Sequence, residues 1–153
     1  MKDFKEYNIP QAMIEADRWH LWKLTDDGRK IPMQINGQNA KSNDPSTWCT
    51  FTEALEHYII APENVYMAFE LGDGFWGVDF DDAFTDDGFA RDWTNKVKGM
   101  IEGNAYLEYS PSGTGMKAVL IGERPEGLSR KKYVMGEGKQ AIEIYDEKRF
   151  WAI

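Results

Sequence analysis

One cysteine, Cys49, stands in 153 residues, which excludes an internal disulfide and leaves the fold to its apolar core. No apolar run approaches the length needed to cross a bilayer. The N-terminal stretch MKDFKEYNIPQAMIEADRW carries acids where a secretory leader needs an apolar segment. These absences predict a soluble, cytoplasmic protein with no membrane partner, and a lone cysteine suits that reducing compartment. Basic residues are also scarce. The 18 Lys and Arg against 26 Asp and Glu give a formal net charge of −8, which argues against a protein that coats nucleic acid, because phosphate contacts need cations. The two histidines, His20 and His57, show no zinc spacing and are expected to be structural.

What is present is a core. Hydrophobic residues make up 42% of the chain and aromatics 14%, the composition of one folded domain over residues 1–153. RWHLWKL reads as a strand, TDDGR as a hairpin turn, and KIPM as its return. IPQAMIEA reads as a short helix. FTEALEHY reads as a helix capped by Thr50 or Thr47, with Glu53 at a capping-box position relative to Thr50. VYMAFEL and FWGVDFD are predicted to pair as a hairpin through GDG. Phe89, Trp93, Val97 and Ile101 recur at helical spacing and predict a helix over 89–101, with Asp86 or Asp87 near its positive end. YLEYS and MKAVLIG flank a tight turn, and KYVM, QAIEIYD and RFWAI close the chain as short strands. Hairpins dominate, which predicts an α+β fold. The chain stops inside an apparent strand, as an excised domain would.

Three motifs carry chemistry. GVDFDDA places Val78 and Phe80 on one strand face and Asp79 and Asp81 on the other, with Asp82 following. Carboxylates held that close repel, and each makes its neighbour harder to ionise. Lysine, arginine or a metal ion would relieve them. SPSGTGMK offers a glycine turn whose N–H groups could face an anion, with hydroxyls from Ser110 and Ser112 and a charge from Lys117. It reads equally as a hairpin turn that needs glycine. AIEIYDEKRFW puts Glu143 and Tyr145 on one face, opposite Ile142 and Ile144. It reads as an acid seeking a partner or as an edge strand with a solvated face. Acids dominate residues 70–92, while residues 110–132 are basic, a pairing that suits metal ions with a polyphosphate or two solvated faces.

Taken in order, RWHLWKL, KIPM with NGQNAKSNDPSTWCTFTEAL, LGDGFWGVDFDDA, YLEYSPSGTGMK and AIEIYDEKRFWAI resemble the catalytic domain of archaeo-eukaryotic-type primase-polymerases, in the branch found in phages, plasmids and mobile elements. The resemblance implies an RNA-recognition-motif-like sheet with an abutting N-terminal α/β unit, and a template-directed nucleotidyltransferase, possessed by such elements as DNA primase and DNA polymerase. It implies that Asp79, Asp81 and Glu143 are catalytic ligands of Mg²⁺ or Mn²⁺. Ser110, Ser112, Gly113, Gly115 and Lys117 match the segment that holds the incoming nucleoside triphosphate. Tyr145 joins them beside the third motif, as do Lys30, by its position before Pro32, and Arg149, by its place after Glu143. Arg130, Lys131 and Lys132 are expected to contact the DNA template and primer. A helicase domain or protein is an implied partner, and the chain would then be the N-terminal part of a longer replication protein. The family usually has histidine where this chain has Lys117. Lysine can pair with a phosphate but lacks imidazole's titration near neutral pH. Two readings follow: an active enzyme with a lysine clamp, or a degenerate nucleotide- or DNA-binding module that regulates or recruits a partner.

Overall fold

The computed structural model describes residue 2 and residues 8–110, 113–129 and 131–153. Ser112 and Arg130, two of the expected site residues, lie outside the described residues. In chain order the elements are α1 (Gln11–Ile14), β1 (Trp19–Leu24), β2 (Lys30–Met33), α2 (Phe51–Ile60), β3 (Val65–Glu70), β4 (Phe75–Asp81), α3 (Asp92–Ile101), β5 (Ala105–Tyr109), β6 (Met116–Ile121), β7 (Lys132–Val134), β8 (Ala141–Tyr145) and β9 (Phe150–Ala152). They form two compact units. One runs to Leu71 and resumes at Glu147–Ile153, and the other is Gly72–Asp146. Each is built on an antiparallel sheet with few helices, so the class is α+β as expected.

The first unit has strand order β2-β1-β3-β9. β1 is buried on both faces along most of its length. On one face Trp19 meets Phe51 of α2 and Phe69 of β3 edge-on, each at 5.0 Å between ring centroids. The Trp19 indole N–H donates to Met13 O at 2.7 Å, which ties α1 down. Thr50 is the cap of α2: its hydroxyl accepts from Glu53 N–H while the Glu53 carboxylate accepts from Thr50 N–H. Thr47 instead ends a 3-10 turn at Pro45–Thr47. On the other face His20 and Glu70 are fully buried and joined Nε2 to Oε1 at 2.8 Å, and Ser42 Oγ donates to the same oxygen at 2.8 Å.

The hairpin expected between VYMAFEL and FWGVDFD does not form. β3 bonds to β1 and β9, and β4 bonds to β6 and β8. Each strand already has two neighbours, so neither has a free edge for the other. Gly72, Asp73 and Gly74 all take positive φ (125°, 48° and 88°), and this turn carries the chain out of one sheet and into the next. The closing strand RFWAI forms as β9, but it pairs with β3 in the first unit, Phe69 opposite Trp151. The AIEIYDEKRFW motif is therefore divided between the units, with Glu143 in one and Arg149 in the other.

The second unit has order β5-β6-β4-β8-β7. β4, α3 and β5 make a split β-α-β unit, with β6 inserted between the two strands. Trp76, Val78, Phe80, Met116, Ala118, Leu120 and Ile144 form its core, and Trp93, Val97 and Ile101 of α3 pack against them. The alternation read from GVDFDDA holds: the apolar set faces α3 and the charged set faces the other way. α3 begins at Asp92 rather than residue 89. Thr85 N–H donates to Phe89 O at 2.8 Å and Phe84 bridges Ala90, which closes residues 84–90 into an extended loop and leaves Phe89 72% exposed.

Candidate active site

Register assembles the site. Asp79 lies opposite Lys117 on β6 and opposite Glu143 on β8. Glu108 on β5 lies opposite Lys117, and Lys132 on β7 lies opposite Glu143. One row therefore crosses all five strands: Glu108, Lys117, Asp79, Glu143, Lys132. Asp81 shares that face two residues along β4. Residues from all three sequence motifs meet here through strand pairing alone.

The three carboxylates at the end of β4 each meet a different cation. Asp79 Oδ2 is 3.9 Å from Lys117 Nζ, with both side chains mostly covered (19% and 13% exposed). Asp81 Oδ2 is 3.5 Å from Lys132 Nζ. Asp82, at φ 50°, leaves the strand line, and its Oδ1 accepts from Arg91 at 3.1 Å while its backbone oxygen accepts from Arg91 Nε at 2.8 Å. Lys132 also reaches Glu143 Oε1 at 3.2 Å. The hydrogen bond to Glu143, together with the charges of Glu143 and Asp81, holds the Lys132 ammonium above its ordinary pKa. Asp79 and Glu143 are like charges directly opposed, an unfavourable pair on bare strands, and the lysines on either side offset it.

Two tyrosines orient the glutamates. Tyr145 donates its hydroxyl to Glu143, and Tyr106 donates to Glu108 Oε2 at 2.8 Å. Each tyrosine lies two residues from its glutamate on the same strand face. Burial first, then the Glu108 charge, raises the Tyr106 phenol well above its usual range, so it remains a donor. Glu108 and Tyr106 were missed from sequence. YLEYS and MKAVLIG, counted back from their turn, hold the signal, because that register brings Glu108 beside Lys117.

The described residues of the turn after β5 bond to one another and to the chain after β4, where Ala83 N–H donates to Thr114 O at 2.8 Å. Ser110 N–H donates to Gly115 O at 2.9 Å, Gly113 N–H donates to Ser110 O at 2.9 Å, and Gly115 N–H donates to Ser110 Oγ at 3.0 Å. Gly113 has φ 72°. A Cβ on Gly115 would stand 2.4 Å from Phe80 O, so that glycine is required by the close pass of β4.

The remaining expected residues scatter. Lys30 and Arg149 belong to the first unit, where Lys30 Nζ stands 5.0 Å over the Trp22 ring. Lys131 Nζ stands 4.8 Å over the Tyr133 ring. Arg124 Nε bonds Asp146 at 2.9 Å. Lys117 and Lys132 reach acids of the stretch 70–92, Asp79 and Asp81, while Arg124 pairs with Asp146 outside it. His20 lies in the first unit, buried against Glu70. Burial pushes the Cys49 thiol up to about 12, with the Glu53 charge adding to the shift, which disfavours the thiolate.

Among the described residues, no three Asp, Glu, His or Cys side chains converge as a metal-holding group. The donor set nonetheless suits a hard divalent cation in kind. Asp79 and Glu143 oppose one another across β4 and β8, Asp81 shares their face, and all three offer only oxygen. Ammonium groups stand beside these carboxylates where a cation would be needed. No helix among the described residues is long and apolar enough to cross a membrane.

No family model matches the chain. The chain is similar to the DNA Primase-polymerase of Nitratiruptor phage NrS-1, with 29% identity over 147 residues that cover 94% of this chain. It spans only 20% of that protein's length.

Proposed function

We propose that this chain is the catalytic region of a metal-dependent, template-directed nucleotidyltransferase, a primase-polymerase acting in replication of a phage or mobile element. The observation that carries it is the single row in which Asp79 stands between Lys117 and Glu143. The similarity to a phage DNA primase-polymerase supports the same reading, and so does the split β-α-β topology of the sheet that bears the row.

In the reaction a primer 3′-hydroxyl attacks the α-phosphate of a nucleoside triphosphate, and pyrophosphate leaves. Asp79, Asp81 and Glu143 would hold Mg²⁺ or Mn²⁺, and a cation held there would lower the hydroxyl's pKa and neutralise charge on the leaving group. Tyr145, by donating to Glu143, fixes that carboxylate's direction. Lys117 is mostly covered and anchored beside Asp79, so it presents a fixed positive charge to the triphosphate, the role the resemblance gives the family's histidine. Ser110, Gly113 and Gly115 shape the adjacent turn. Lys131 is exposed and, with Arg130, would supply DNA contacts.

The second reading, a binding module without synthesis, is favoured by the net charge of −8 and by Lys117. Primer extension on a DNA template with Mn²⁺, run beside calorimetric titration of a triphosphate, separates the two. Extension by the wild-type chain that falls to background in Asp79→Asn and Glu143→Gln is the expected result. Triphosphate binding without extension would establish the module instead. Extension that survives Asp79→Asn would remove the row from the chemistry.

A further inference from the structure

We infer that Lys132 is a built-in counter-ion which occupies the acidic site in the absence of metal and must be displaced when a divalent cation binds. The inference rests on the reading of Asp79, Asp81 and Glu143 as the metal-holding set. It departs from the expectation that Lys132 is simply a DNA contact.

The geometry is specific. Lys132 sits on the edge strand β7, and its ammonium reaches two acids on two other strands, Glu143 at 3.2 Å and Asp81 at 3.5 Å. Those oxygens belong to the set a cation would need, and a divalent ion bound to them would repel the ammonium at close range. Lys117 is a different kind of neighbour. It is 13% exposed and stands 3.9 Å from Asp79, whereas Lys132 is 49% exposed, which leaves it room to swing outward. A cavity of about 210 Å³, lined by Lys131, Lys132, Glu143, Ile144 and Tyr145, lies beside it. The two lysines thus divide the work: Lys117 is resident and Lys132 is exchangeable. Metal binding is then an exchange of one cation for another, and the departing ammonium remains tethered at the rim, where an anionic substrate would meet it.

The test is Mn²⁺ alone, titrated into the full chain and followed by the free-ion electron paramagnetic resonance signal. Wild type, Lys132→Met, Lys132→Arg, Asp79→Asn and Lys139→Met are compared at fixed ionic strength. Lys139 is exposed and controls for the loss of one positive charge. Releasing two partly exposed ion pairs should tighten Mn²⁺ binding about three- to tenfold in Lys132→Met. Lys132→Arg, which keeps the charge, and Lys139→Met should stay near wild type. Asp79→Asn should lose the site. Unchanged or weaker binding in Lys132→Met, with Asp79→Asn still deficient, overturns the counter-ion and leaves the metal site standing. Equal tightening in Lys139→Met assigns the effect to net charge and also overturns it. Absence of Mn²⁺ binding in every protein overturns the metal reading and the counter-ion together.

Discussion

His20 and Glu70 illustrate how much a single buried residue can depend on another. The His20 Nδ1 lies 2.6 Å from Leu21 O, and a carbonyl can only accept, so Nδ1 carries a proton. Nε2 lies 2.8 Å from Glu70 Oε1, so each buried side chain is the other's polar partner. Ser42 completes the pair, and Glu70 Oε2 finds no donor among the described residues. Removing one partner strands the other in a dry interior, so His20→Ala should destabilise the fold by about 3–5 kcal/mol. His20→Phe with Glu70→Met should recover part of that loss, because neither ionisable partner is left stranded, while Ser42 Oγ loses its acceptor. Urea unfolding measures both, and a single variant within experimental error of wild type would show that the pair is not coupled. At Gly115 the constraint is steric. With Phe80 O 2.4 Å from the position of a Cβ, Gly115→Ala should cost about 1–3 kcal/mol of stability through forced backbone shifts. The shift in thermal midpoint would report it.

At the scale of elements, local chemistry and tertiary contacts agree in α2 and disagree in α3. α2 starts where Thr50 and Glu53 exchange hydrogen bonds, and no distant residue is needed to specify that start. Thr50→Ala should therefore lower stability by about 1 kcal/mol, read from chemical denaturation. An unchanged midpoint would mean that packing alone holds the helix end. α3 kept its apolar spacing from Trp93 to Ile101, but its first turn was lost to the Thr85–Phe89 loop, which hydrogen-bonds to itself. Arg91 stands at that helix start without a side-chain cap, because a guanidinium has no acceptor for the free N–H groups, and it donates to Asp82 instead.

In the whole molecule, the chain leaves the first unit at Leu71 and returns to it at Glu147. Residues 147–153 therefore stabilise a sheet that the rest of the unit builds from the other end of the sequence. Trp151 is 1% exposed and pairs opposite Phe69. Deleting residues 147–153 should cost the first unit about 3–5 kcal/mol, the range for losing one large buried aromatic. Hydrogen exchange should then speed up in β1 and β3 while β4 and β6 keep their protection. Equal loss in both sheets would show that the units unfold as one.

Much of the site was legible because strands encode their faces locally. The alternation of GVDFDDA sends Val78 and Phe80 to the core and Asp79 and Asp81 away from it, wherever the strand is placed. The same period sorts Glu143 from Ile142 and Ile144. Alternation also fixed the β5–β6 hairpin, since a short glycine turn leaves little choice of register. The sequence by itself thus determined which side chains could share a surface and that the surface would be charged. It did not determine which charges would meet. That required β4 to lie in the middle of its sheet, between β6 and β8, a placement made by pairings between segments far apart in the chain. Only the tertiary structure decided that the carboxylates of β4 are answered by Lys117, Lys132 and Arg91, that the GDG turn separates two sheets, and that the last strand belongs to the first. The physical reason is the same in each case: hydrogen bonding along one strand fixes its side chains' directions, but the identity of its neighbours depends on which edges the rest of the fold leaves free.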